Sequence, residues 1–259
     1  MICALALAFA ITLFWALAYS VSTHRRHQAE RLLQQLAVLQ HGTGSANVKQ
    51  IAKACGGKEH CTNDSCTYDF DYGFSFFSSR MPQVFQRTEW DYLALRPWKV
   101  TAQIRTSNGN LTDIYVQAWV GRGRGWLYHE GLFAGNMWAW LIVTISSNPH
   151  QFDQRIKQER EYLEAQSVRR NFDLGNNGIF VGKPNVDTPG TGEALTVDLS
   201  PSAPAESRIA GFDLNLRCAT AITPCTHLCQ FAPSAWHVHA QYMKSNGWWV
   251  EEPMECPTR

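Results

Sequence analysis

The sequence predicts an α+β protein: an N-terminal transmembrane helix, then a mainly antiparallel sheet with packed helices and a cysteine-bearing C-terminal tail. Three observations predict it. Ile2 to Val21 carries no charged residue. Residues 67–120 hold alternating apolar and polar positions around an Asn-Gly turn, and a period of two is the mark of a half-buried strand. Four cysteines fall in the last stretch of chain: Cys218, Cys225, Cys229 and Cys256.

About 20 apolar residues at 1.5 Å rise match the ~30 Å hydrocarbon layer. Leu5, Leu7, Phe9, Ile11, Leu13, Phe14 and Leu17 form the centre of the run, with Trp15 and Tyr19 near its far end, where amphipathic rings favour the membrane interface. His24-Arg25-Arg26-His27 stops it. A cleaved signal peptide is the competing reading, with Ala16-Leu17-Ala18 as a small-x-small cleavage site. The length of the run and the lack of a preceding Lys or Arg favour a retained anchor over residues 1–23, followed by one domain over 24–259.

Membrane side is where the signals conflict. Arg25, Arg26 and Arg31 follow the apolar run, which by the positive-inside rule keeps the domain cytoplasmic. Cys55, Cys61 and Cys66 form one cluster and the four C-terminal cysteines another, a density expected of an oxidising compartment. Asn63-Asp64-Ser65 and Asn110-Leu111-Thr112 also match the N-glycosylation pattern, which occurs often by chance. The expectation is an extracytoplasmic domain.

Leu32, Leu36 and Leu39 continue a helical period beyond the anchor. A short second helix is expected from Ser45, as N-cap, to about Ala54. Tyr68, Phe70, Tyr72, Phe74 and Phe76 then alternate with polar residues, predicting a strand with its aromatic face on the core. An exposed, sugar-stacking stripe is the functional alternative. Val100, Ala102 and Ile104 are answered by Ile114, Val116, Ala118 and Val120 across Asn108-Gly109, a strong type I′ hairpin signal.

Gly121-Arg122-Gly123-Arg124-Gly125 lacks the spacing and the Lys-Ser/Thr of a P-loop and reads as a turn. Leu132–Ile145 reads as a buried strand. Residues 150–170, with Arg155/Glu159, Lys157/Glu161 and Arg160/Glu164 four apart, read as a surface helix. Ile179–Val181 and Ala194–Leu199 read as strands, placing the sheet in residues 66–145 and 178–199. A helix over 203–217, capped by Ser202, should present Ile209, Phe212 and Leu216 to the core and deliver Cys218.

Chemistry is sparsely signalled. Lys plus Arg total 23 against 22 Asp plus Glu, so no field gathers nucleic acid. Two disulfides among Cys218, Cys225, Cys229 and Cys256 are favoured over a zinc site, because only Cys225/Cys229 approaches knuckle spacing. The N-terminal trio leaves an odd thiol, free or paired across clusters. His237-Val238-His239 with His227 is the best metal suggestion, since two histidines two apart on a strand point the same way. It still wants an open position and a base. No Gly-x-Ser-x-Gly or His-Glu-x-x-His motif occurs. The expectation is a non-enzymatic envelope or surface module without a cofactor, binding a protein or glycan partner and held to the membrane through residues 2–21. The alternative is a metal-dependent hydrolase using His227, His237 and His239.

Overall fold

In the computed structural model, the structure describes residues 2–74, 98–121, 137–146, 178–182, 193–221, 225 and 228–245. Helix α1 (Ile2–Val38) is followed by α2 (Ser45–Ala54), β1 (Lys58–Cys61), β2 (Ser65–Phe74), β3 (Trp98–Ser107), β4 (Asn110–Gly121), β5 (Met137–Ile145), β6 (Gly178–Gly182) and β7 (Glu193–Leu199). Helices α3 (Ala205–Phe212), α4 (Arg217–Thr220), α5 (Leu228–Phe231) and α6 (Pro233–Ser245) complete the described chain. The seven strands form one sheet in the order β1-β2-β3-β4-β5-β7-β6. All neighbours are antiparallel except β5 and β7. The α+β class read from the sequence is therefore the observed one.

Register explains why one face of the sheet is dry. Phe70 sits opposite Ala102, Ala102 opposite Val116, Val116 opposite Val143, and Val143 opposite Val197. The neighbouring row runs Tyr72, Val100, Ala118, Leu141, Leu195. All of these side chains are buried. A one-residue slip would turn each row to the other face, so the apolar pattern pins the pairing. A bulge between Arg105 and Thr106 lets Thr106 pair with Leu111 while Arg105 pairs with Asp113. The bulge brings Leu111 to the dry side, where it is buried. The extra residue, Thr112, donates its hydroxyl to the Arg105 carbonyl at 3.1 Å.

Helix α1 has two characters. In its first half Leu5, Leu7, Phe9, Leu13 and Leu17 are exposed, and by length and composition it is the one helix among the described residues able to cross a membrane. In its second half Leu32, Leu33 and Leu36 are buried, at the i, i+1, i+4 spacing of a core-facing stripe. The stripe begins further back than the charge pattern implies. Trp15 and Tyr19, stacked with ring centroids 5.5 Å apart, pack against the core, and Ala18 and Ser22 are buried. Ser22 Oγ accepts a 3.0 Å bond from Trp98 Nε1, and Arg25 donates to the Gly73 carbonyl at 2.9 Å. Arg26 is buried, donates to Thr220 Oγ1 at 2.6 Å and pairs with Glu30 at 3.4 Å. These arginines tie α1 to β2 and α4.

Several boundaries differ from the sequence reading. Gly44, not Ser45, occupies the α2 N-cap, with no side-chain cap bond. The expected helix over 203–217 is two pieces, because the chain leaves helical backbone at Asp213. Pro204 stands at the α3 N-cap, while the Ser202 hydroxyl meets that of Ser200 at 3.2 Å. Phe212 and Leu216 are buried as expected, but Ile209 is 53% exposed. The surface helix at 150–170, the loop 122–125, Phe76 and the stretch 183–192 lie outside the described residues.

Candidate functional site

The cysteines are placed first by the strands. Cys61 and Cys66 are directly opposed in the β1–β2 hairpin, with Cα atoms 4.1 Å apart, and are disulfide-bonded. Cys218 of α4 is bonded to Cys225. Cys229, in α5, is also disulfide-bonded. Cys225 lies outside any helix, so Cys225 and Cys229 do not share a helical turn. Cys256 lies outside the described residues. Cys3 and Cys55 are free thiols, and Cys55 is the odd member of the N-terminal trio.

Histidine placement changes the metal argument. His237 and His239 are in helix α6, not on a strand. Residues two apart on a helix are about 200° apart around its axis and do not share a face. His237 is exposed, its Nε2 bonded to Gln241 at 2.7 Å. His227 lies outside the described residues. Among the described residues Glu59, Cys61 and Cys66 bring ligand atoms within 4.8 Å of one another, but the two sulfurs are bonded to each other, so neither offers a thiolate.

Among the described residues, the sheet face opposite the helices is polar along β2, β3 and the facing part of β4. Asp69 pairs with Gln103, and Gln103 with Tyr115; Asp71 pairs with Thr101, and Thr101 with Gln117; Lys99 pairs with Trp119. Gln103 donates to Asp69 at 2.9 Å, Thr101 to Gln117 at 3.4 Å, and Lys99 reaches Asp71 at 3.2 Å. At the sheet edge Lys49 pairs with Glu59 at 2.9 Å, and hydrogen bonding to that carboxylate raises the lysine's pKa. Toward β5 the face closes, since Tyr115 and Thr144 are buried. These groups hold one another in place, and among the described side chains the surface offers hydrogen bonds and the partly exposed indole of Trp119. The aromatic stripe Tyr68, Phe70, Tyr72, Phe74 is on the other face and buried, so its sugar-stacking alternative is excluded.

One buried pair links the clusters to the core. Tyr72 donates its hydroxyl to the Cys55 carbonyl, and burial, with Cys55 nearby, pushes its pKa up to about 12. Burial likewise raises the Cys55 thiol, and Arg31 partly offsets it. A thiol so disfavoured as thiolate is a poor nucleophile.

No protein-family model matches the chain, and neither the curated proteins nor the solved structures contain a match. One apolar N-terminal helix and disulfides at both cysteine clusters together fit a membrane or secreted protein.

Proposed function

We propose that this chain is a membrane-tethered, extracytoplasmic interaction module that holds a rigid polar sheet face close to a bilayer. The observation carrying the reading is the double use of α1: an exposed apolar half joined, without a break, to a half that forms the domain's core. A flexible leader would not need core packing, and a purely soluble domain would not leave Phe9 70% exposed. The disulfides support the oxidising side. Arg25 and Arg26, two of the three arginines that argued for the other side, have structural partners in Gly73, Thr220 and Glu30, so their position has a cause independent of orientation.

Asn108 lies at an exposed hairpin tip. With Cys3 and Cys55 replaced by Ala, Asn108→Cys should react with a membrane-impermeant maleimide in intact cells. It should also stay with the membrane fraction at alkaline pH. Labelling only after lysis would put the domain in the cytoplasm, and release by alkali would remove the tether.

A further inference from the structure

We infer that the sheet stands end-on to the bilayer, with the end marked by Phe74, Trp98, Gly121 and Met137 resting in the lipid headgroup layer. The inference rests on the tether proposed above and adds the surface that contacts lipid.

Two sets of contacts fix the direction of the sheet along α1. Near the end of the apolar run, Ser22 and Arg25 bind Trp98 and Gly73. Beyond the far end of α1, Gly42 donates to the Leu111 carbonyl, Leu111 to that of Thr43, and Ser45 to that of Gly109. Helix α1 packs on β2 and runs antiparallel to it, hence in the same direction as β3. From Ser22 to Val38 the helix rises about 24 Å, and β3 extends about 30 Å, the residues after Val38 covering the difference. Register carries the same ends across the sheet: Phe74 faces Trp98, Trp98 faces Val120, and Gly121 faces Met137. These strand ends lie at the membrane end. The Asn108-Gly109 turn and the Cys61–Cys66 bridge lie at the opposite one.

Depth follows from where packing begins. The stripe facing the domain starts at Trp15, inside the uncharged run, while Leu13, Phe14, Leu17 and Val21 on the other sides of the helix are 44–59% exposed. From Trp15 to Ser22 is about 10 Å of helix. A headgroup layer is roughly 5–7 Å on each side of the hydrocarbon, and interfacial elements bury about 5–10 Å into it. The domain thus overlaps the membrane helix by about 10 Å, which takes it through the headgroup layer to the acyl boundary, and Trp15 and Tyr19 stand where such rings are favoured.

Spin-label depth measurement on the full chain in phosphatidylcholine vesicles tests this. Single labels are placed at Leu7→Cys, Lys99→Cys and Asn108→Cys in a Cys3→Ala, Cys55→Ala background. All three sites are at least partly exposed, and retained disulfides in each variant confirm folding. The label at 7 should meet oxygen and exclude an aqueous nickel chelate. The label at 99 should be intermediate, and that at 108 should behave as in water. A water-like 99 beside a lipid-buried 7 overturns the end-on contact while leaving the tether standing. A lipid-buried 108 reverses the orientation and overturns it too. A water-like 7 removes the tether, and the inference with it.

Discussion

At the level of single residues, the hairpin turn is the clearest case of sequence dictating geometry. Asn108 and Gly109 have φ of 50° and 77°, the positive values a type I′ turn needs. Gly109→Val should destabilise by about 1–2 kcal/mol, since an L side chain resists the left-handed region. Urea unfolding in detergent measures it, and an unchanged midpoint would contradict the turn's strain. Ser22→Ala strips the buried Trp98 indole of its acceptor and should cost about 1–3 kcal/mol, read in the same assay. Tyr72 adds a pH effect. Its folded pKa of about 12 exceeds the ordinary value near 10. Between those values the unfolded chain has released this proton and the folded one has not, so stability falls as pH rises from about 10 to about 12. Tyr72→Phe should lose that contribution to the slope, and absorbance of the phenolate should appear only near the upper value. The hairpin was legible because two residues carry it. Tyr72's partner was not, because nothing local to Tyr72 announces the Cys55 carbonyl.

Elements show the same division. The strands β2 to β4 were readable from alternation, since each buries one face against helices and leaves the other wet. Helix α6 was not. Trp236, Val238 and Ala240 alternate with His237, His239 and Gln241, so a period of two was on offer. Pro233 and Ser234 at its start favour a helix, and Ala232, Ala235, Trp236 and Ala240 are buried at helical spacing. The expected helix 203–217 was over-extended because Leu216 is apolar and in phase, although Asp213 has already left helical backbone. Close approach between elements was also invisible. A Cβ on Gly73 would lie 2.8 Å from the Trp98 carbonyl oxygen, whereas one on Gly44 would meet nothing within 4 Å. Gly73→Ala should therefore cost about 1–3 kcal/mol, and Gly44→Ala less, about 0.5–1 kcal/mol, from the poorer N-cap alone. Equal melting of the two would contradict the tight β2–β3 contact.

For the whole molecule, the apolar N-terminal helix, the sheet and the existence of cysteine staples were readable, while connectivity was not, because four cysteines allow three pairings until the fold chooses. The Cys218–Cys225 bridge closes a short loop, and losing it through Cys218→Ser with Cys225→Ser should cost about 2–3 kcal/mol. Non-reducing peptide mapping of protein from its native compartment should recover Cys61 with Cys66 and Cys218 with Cys225. Finding those four as free thiols would reverse the proposed side of the membrane.

The unbroken α1 has a mechanical consequence. A domain joined by a floppy linker would swivel freely, but here the same helix is both the proposed anchor and part of the core, so the two must move as one lever. A sideways push on the turn at Asn108, about 30 Å along β3 from Trp98, becomes a tilt of the apolar half against the acyl chains. Fluorescence anisotropy of a probe at that tip should accordingly decay at the slow rate of the membrane-bound body, with no fast component from independent domain rotation.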